Sequence, residues 1–215
     1  MTISNNTRIF EITAAFLTAL GKFLFVDFLG WRFTFTTVAI LFWVSYVFIR
    51  YRQNHEILAY WGFSKNNFRE VVIKLLPFAA ISLIACFAIG YIRQTINISW
   101  HIIPILILYP LWGVIQQFLL VGLIAGNLKD FEGQPLKDIY IIFVSSICFA
   151  AIHYPYYWLI VGTFVLALIY SSIYLKKRNL YALGLFHGLL GALFFYTVVN
   201  RDPFLEMFGN LLNLK

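Results

Sequence analysis

The sequence predicts an all-α membrane protein, a polytopic bundle of about seven transmembrane helices, and three observations carry that prediction. The 215 residues are 61% hydrophobic and only 12% charged, too little charge to cover the surface of a water-soluble domain of this size. The apolar residues fall in long runs, and a bilayer core needs about 20 such residues per helix. The Lys and Arg residues behind the net charge of +7 cluster in short segments between those runs, where they report membrane orientation rather than nucleic-acid binding.

Taken in order, the candidate spans lie near residues 9–29, 31–50, 71–92, 102–125, 139–153, 157–175 and 180–199. Glu11, Lys22 and Asp27 interrupt the first, so an interfacial or strongly tilted helix is the alternative there. The fifth is short and ends at His153-Tyr154-Pro155, where the proline blocks helical continuation. Irregular backbone at that depth requires a cavity lined by protein. With residues 51–70, 126–138 and 176–179 facing the cytoplasm, most cations fall inside, Arg50, Lys65, Lys129 and Lys177 among them. That asymmetry favours an N-inside, C-outside topology. The first residues carry one Arg and no small-residue cleavage site, so no removable signal peptide is read.

Outside the spans, Trp31, Trp61, Trp100, Trp112 and Trp158 fall near span ends or in loops and read as rings anchored at the headgroup level. The stretch from Trp61 to Glu70 reads as a turn leading into an interfacial helix, and residues 203–215 as a short amphipathic tail. Cys86 and Cys148 sit inside apolar runs and read as packing residues. His55 and His101 read as solvated.

A polar group buried in hydrocarbon without a partner costs several kcal/mol, which singles out Gln116, Gln117, His153 and His187, from spans 4, 5 and 7. Convergence on one interior site would satisfy them. Ordinary interhelical hydrogen bonding would do so equally.

Three stretches add to this: WGVIQQFLLVGLI at 112–124, SSICFAAIHYP at 145–155 and YLKKRNLYALGLFHGLLGAL at 174–193, with YWGFSKNNFREVVIKLLPF at 60–78 before them. In this order they resemble the motifs of the CPBP family of intramembrane proteases, the CAAX prenyl protease type II and bacteriocin-processing group. The resemblance divides the chain into N-terminal spans (1–59), a CPBP-like helical core (60–195) and a C-terminal tail (196–215). It implies that an active member would carry Glu at both Gln116 and Gln117, the first as general base for a water. An Arg would stand at the place of Val121 as counter-charge, and an Asn or Asp at the place of Gly191. The two histidines would orient the water and steady the oxyanion, with Phe149, Val121 and Gly191 lining the pocket.

This chain departs from that pattern in a concerted way. Glutamine does not ionise and cannot take a proton near neutral pH, and an Arg kept without carboxylates would be a buried unpaired ion. Val and Gly stand at 121 and 191. The one acid placed to substitute is Asp27, whose alternative is a salt bridge with Lys22 or Arg32. Catalytic zinc takes three protein ligands and two histidines are available, so neither metal nor cofactor is expected. The resemblance thus implies a catalytically degenerate multi-pass protein, a binding or scaffold subunit for a membrane protein partner or lipid-like ligand. One alternative is an intramembrane endopeptidase working by a rearranged mechanism. Another is a pigment- or cofactor-holding subunit, because neutral imidazole in an apolar bundle can ligate haem. The resemblance is chiefly to proteins of prokaryotic plasma membranes.

Overall fold

The computed structural model describes residues 3–133 and 135–213. Among them, six helices are long and apolar enough to cross a membrane: α1 (Asn5–Phe28), α2 (Arg32–Gln53), α4 (Phe68–Arg93), α5 (Ile102–Lys129), α7 (Tyr157–Tyr174) and α8 (Leu180–Val199). Between them lie α3 (Ile57–Trp61), the shorter apolar α6 (Asp138–Ala151) and, last, α9 (Pro203–Leu212). The fold is all-α, as the composition predicts, and α1 is a continuous 24-residue helix despite Arg8, Glu11, Lys22 and Asp27.

The 14 residues of α6 rise only about 21 Å, less than the roughly 30 Å hydrocarbon core. The chain then turns at His153–Tyr156, where Tyr154 is exposed. The amides of His153, Tyr154 and Tyr156 donate to the carbonyls of Ala150, Ala151 and His153 at 3.0, 3.1 and 2.9 Å, so this non-helical backbone meets its own hydrogen bonds. The turn leads into α7, which packs back along α6.

The closest helix pair is α5 with α8. A Cβ on Gly184 would stand 2.5 Å from the Cα of Val114, one on Gly188 would stand 2.2 Å from the nitrogen of Pro110, and one on Gly113 would stand 2.3 Å from the carbonyl oxygen of Gly184. Only hydrogen fits at these three positions, so the backbones pack directly on each other.

Polar contacts gather the loops at two ends of the bundle. At one, Leu180 N donates to Gly62 O at 2.8 Å, and Asn179 donates to Ser64 O and Asn67 Oδ1, both at 2.7 Å. Asp130 there accepts from Tyr60 at 2.7 Å and pairs with Arg178 at 2.6 Å. Burial and the hydrogen bond to Asp130 push the Tyr60 hydroxyl up to about 12. Gly62 has φ of 92°, a conformation that favours glycine, and a Cβ on it would lie 3.0 Å from the Arg178 backbone. At the other end, Thr95 donates to Thr197 O at 2.7 Å, and His101 meets Asp202 at 2.6 Å.

Two sequence expectations change here. Trp61 is no surface anchor: it is fully buried, 5.0 Å centroid to centroid from Phe118 and 6.0 Å from Tyr46, because α3 folds back under the bundle. Nor is His101 solvated, since its ring stacks on Phe204 with centroids 4.8 Å apart and its Nδ1 faces Asp202. Trp31 and Trp100 are exposed, at 56% and 66%, in keeping with a headgroup position.

Candidate functional site

The glycine contact between α5 and α8 brings Gln117 against His187: the amide Nε2 lies 2.7 Å from the ring Nδ1. Gln117 is fully buried, and its Oε1 has no partner among the described residues. Immediately after it, residues Phe118–Ala125 of α5 run as a π-helix. Such segments are rare and often mark functional positions. Its effect here is to rotate the following turn, leaving Val121 fully buried.

The end of α6 supplies the rest. His153 Nδ1 lies 2.7 Å from the carbonyl oxygen of Phe149. A carbonyl only accepts, so Nδ1 carries the proton and, in the neutral ring, Nε2 is an acceptor. The Phe149 ring stands between the two histidines, with centroids 5.0 Å from His153 and 5.7 Å from His187.

Gln116, Phe149, His153, His187 and Gly191 all line one cavity of about 940 Å³, within the range of small-molecule sites. Its walls are chiefly apolar and aromatic, drawn from every spanning helix. Gln117 and Val121 stand behind the wall, so Val121, contrary to expectation, does not line the pocket: it is fully buried in the packing of α5. Gly191 leaves room, for a Cβ there would come no closer than 3.9 Å to His187. Asp27 lines the same cavity, bound to Lys22 at 2.6 Å, and Lys22 also donates to the carbonyl of Tyr154 at 3.0 Å.

Three neighbours take other places than the sequence suggested: Trp112 was expected as a headgroup anchor, Cys148 as a packing residue and Glu11 as an interruption of the first span. Trp112 and Cys148 line the cavity; their spacing from Gln116 and Phe149 carries no signal apart from the helix period. Glu11 is fully buried and accepts from Tyr46 at 2.5 Å and from Asn127 at 2.6 Å. It fastens α1 to the far end of α5. The one available signal was an acid in an apolar run with an amide residue in another. Among the described residues, no three His, Cys, Asp or Glu side chains are placed to hold a metal ion.

The arrangement is a hydrogen-bonding floor of uncharged groups under an apolar chamber. It can orient a polar group carried on a hydrophobic body. With amides at 116 and 117, the described floor has no carboxylate to draw a proton from water.

A family model described as "Type II CAAX prenyl endopeptidase Rce1-like" matches residues 97–193. The match takes in α5, α6, α7 and most of α8, and with them Gln116, Gln117, His153 and His187. No curated protein and no solved structure matches the chain to a significant degree.

Proposed function

We propose, from the premise that residues 97–193 belong to the Rce1-like, CPBP-type family of CAAX prenyl endopeptidases, that this multi-pass membrane protein is a non-proteolytic member of it. Its role is that of a binding or scaffold subunit, engaging a membrane protein partner or a lipid-like ligand through the cavity, in a prokaryotic plasma membrane. The observation that carries this reading is the neutrality of the floor: Gln116 faces the cavity, Gln117 is bound to His187, and the family's counter-charge position holds a buried Val121. Removing both carboxylates and their Arg together leaves no stranded ion, which suits a fold kept for binding.

A second reading is favoured by one observation, that Asp27 and His153 line the same cavity. There the chain is an endopeptidase in which Asp27 takes the place of the missing glutamate. Its pairing with Lys22 at 2.6 Å weighs against it, because a proton acceptor held in a salt bridge is a weaker base.

The test is extraction from the native membrane in mild detergent, with mass spectrometry of what co-purifies and a visible absorption spectrum. A stoichiometric membrane protein or lipid is the expected result. A protein that purifies alone and cleaves a prenylated CAAX peptide would overturn the proposal. An absorption band would point to a pigment-holding subunit instead.

A further inference from the structure

The cavity floor offers hydrogen bonds that none of the described residues takes up. The Gln116 side-chain amide has no hydrogen-bond partner among the described residues, and the same holds for Nε2 of His153 and of His187, whose Nδ1 atoms are the ones engaged. All three residues are half-buried and open to the cavity, so their free hydrogen-bonding capacity is presented to whatever occupies it. Gln117 Nε2 donating to His187 Nδ1 leaves the His187 Nε2 as a donor, while His153 Nε2 is an acceptor and the Gln116 amide is both.

The charged groups of the wall are already taken. Lys22 is bound to Asp27 and to the Tyr154 carbonyl. Arg201 is bound to Glu206 and lies over the Tyr156 ring at 4.0 Å. Arg32 stands 3.7 Å from Glu206. Among the described residues of the wall, an anionic head group would find no cation outside these pairs, and a cationic one no carboxylate outside them.

Resting on the reading of the cavity as a lipid-binding site, we infer that its occupant is an uncharged single-chain amphiphile whose head both donates and accepts a hydrogen bond, a long-chain alcohol being the simplest case. The hydroxyl lies among Gln116, His153 and His187, and the chain fills the apolar volume above. Selectivity against charged lipids follows from desolvation: a phosphate or carboxylate would lose its water without gaining a counter-ion.

The experiment measures saturable binding of radiolabelled 1-hexadecanol and of hexadecyl phosphate to the purified full-length chain in mild detergent. Expected is one-to-one binding of the alcohol, at least tenfold tighter than the phosphate, and weakened about tenfold by Gln116→Leu, the scale of one lost hydrogen bond. If the phosphate binds as tightly or more tightly, the neutral-head inference falls while the lipid-binding reading stands. If neither probe binds saturably, the lipid-binding reading itself falls. An alcohol preference untouched by Gln116→Leu would overturn the assignment of the floor. Gly191→Phe, which fills the space beside His187, provides a second check: it must abolish alcohol binding, and retained binding would equally overturn the assignment.

Discussion

At the scale of single residues, two adjacent glutamines do different work. Gln116 faces the cavity, whereas Gln117 is fully buried and fixes the His187 ring. Gln117→Leu is therefore expected to destabilise the protein by about 1–2 kcal/mol, the cost of a buried hydrogen bond with one partner removed. Gln117→Glu should cost more, because Val121 provides no counter-charge and a buried unpaired carboxylate is strongly disfavoured. Unfolding midpoints of the detergent-solubilised variants would test both, and a Glu variant as stable as wild type would contradict the account. Gln116, Gln117, His153 and His187 were legible in the sequence because polarity within an apolar run is itself a signal. The division of labour between 116 and 117 was not legible, since it depends on the rotation of α5 against α8.

At the scale of elements, the contact that sets this rotation is the glycine crossing. Gly184→Ala or Gly188→Ala would drive a methyl into backbone 2.2–2.5 Å away, and each is expected to separate α5 from α8 and lower the unfolding temperature markedly. Gly191→Ala should be close to neutral, its nearest neighbour lying at 3.9 Å. The Gly-x-x-x-Gly spacing at 184–188 was present to be read, but its partner Gly113 emerges only from the packing. The π segment after Gln117 left no trace in the periodicity.

The terminal helix α9 carries a pH prediction. Asp202 caps it, accepting from the amides of Phe204 and Leu205 at 3.0 and 3.2 Å. Burial opposes the charge of its carboxylate, but hydrogen bonds from His101, Tyr196 and Leu205 outweigh this and hold it below the usual carboxylate range. A depressed value means that the stabilisation is complete above the ordinary carboxylate pKa of about 4 and fades as pH falls through the lowered one. Amide exchange across α9 should accordingly accelerate in strong acid, and Asp202→Asn should bring that faster exchange to neutral pH. The amphipathic tail was visible in the sequence. The latch was not, because His101 and Asp202 lie 101 positions apart.

At the scale of the whole molecule, the loops that share an end of the bundle should share a side of the membrane. Single cysteines placed at Lys65, Lys137 and Lys177 are expected to react with an impermeant thiol reagent from one side, and those at Gln94, Tyr154 and Asp202 from the other. The positive-inside pattern predicts the same sidedness from composition. It could not show that the turn at Arg178 docks on the Gly62 loop and Asp130, because that clamp depends on residues from three separate segments. Arg178→Ala, which removes the ion pair with Asp130 at 2.6 Å, is expected to cost roughly 2 kcal/mol, in the range of hydrogen bonds to charged groups.

A chain that matches an endopeptidase family model over residues 97–193 but carries amides at 116 and 117 is expected to bind without cleaving. The most direct test is incubation of the purified full-length chain with a prenylated CAAX peptide, with the products followed by mass spectrometry. No cleavage above background is expected, in wild type and in Asp27→Asn and His153→Ala alike. Turnover by the wild type that either substitution abolishes would contradict it and would place Asp27 in the active centre.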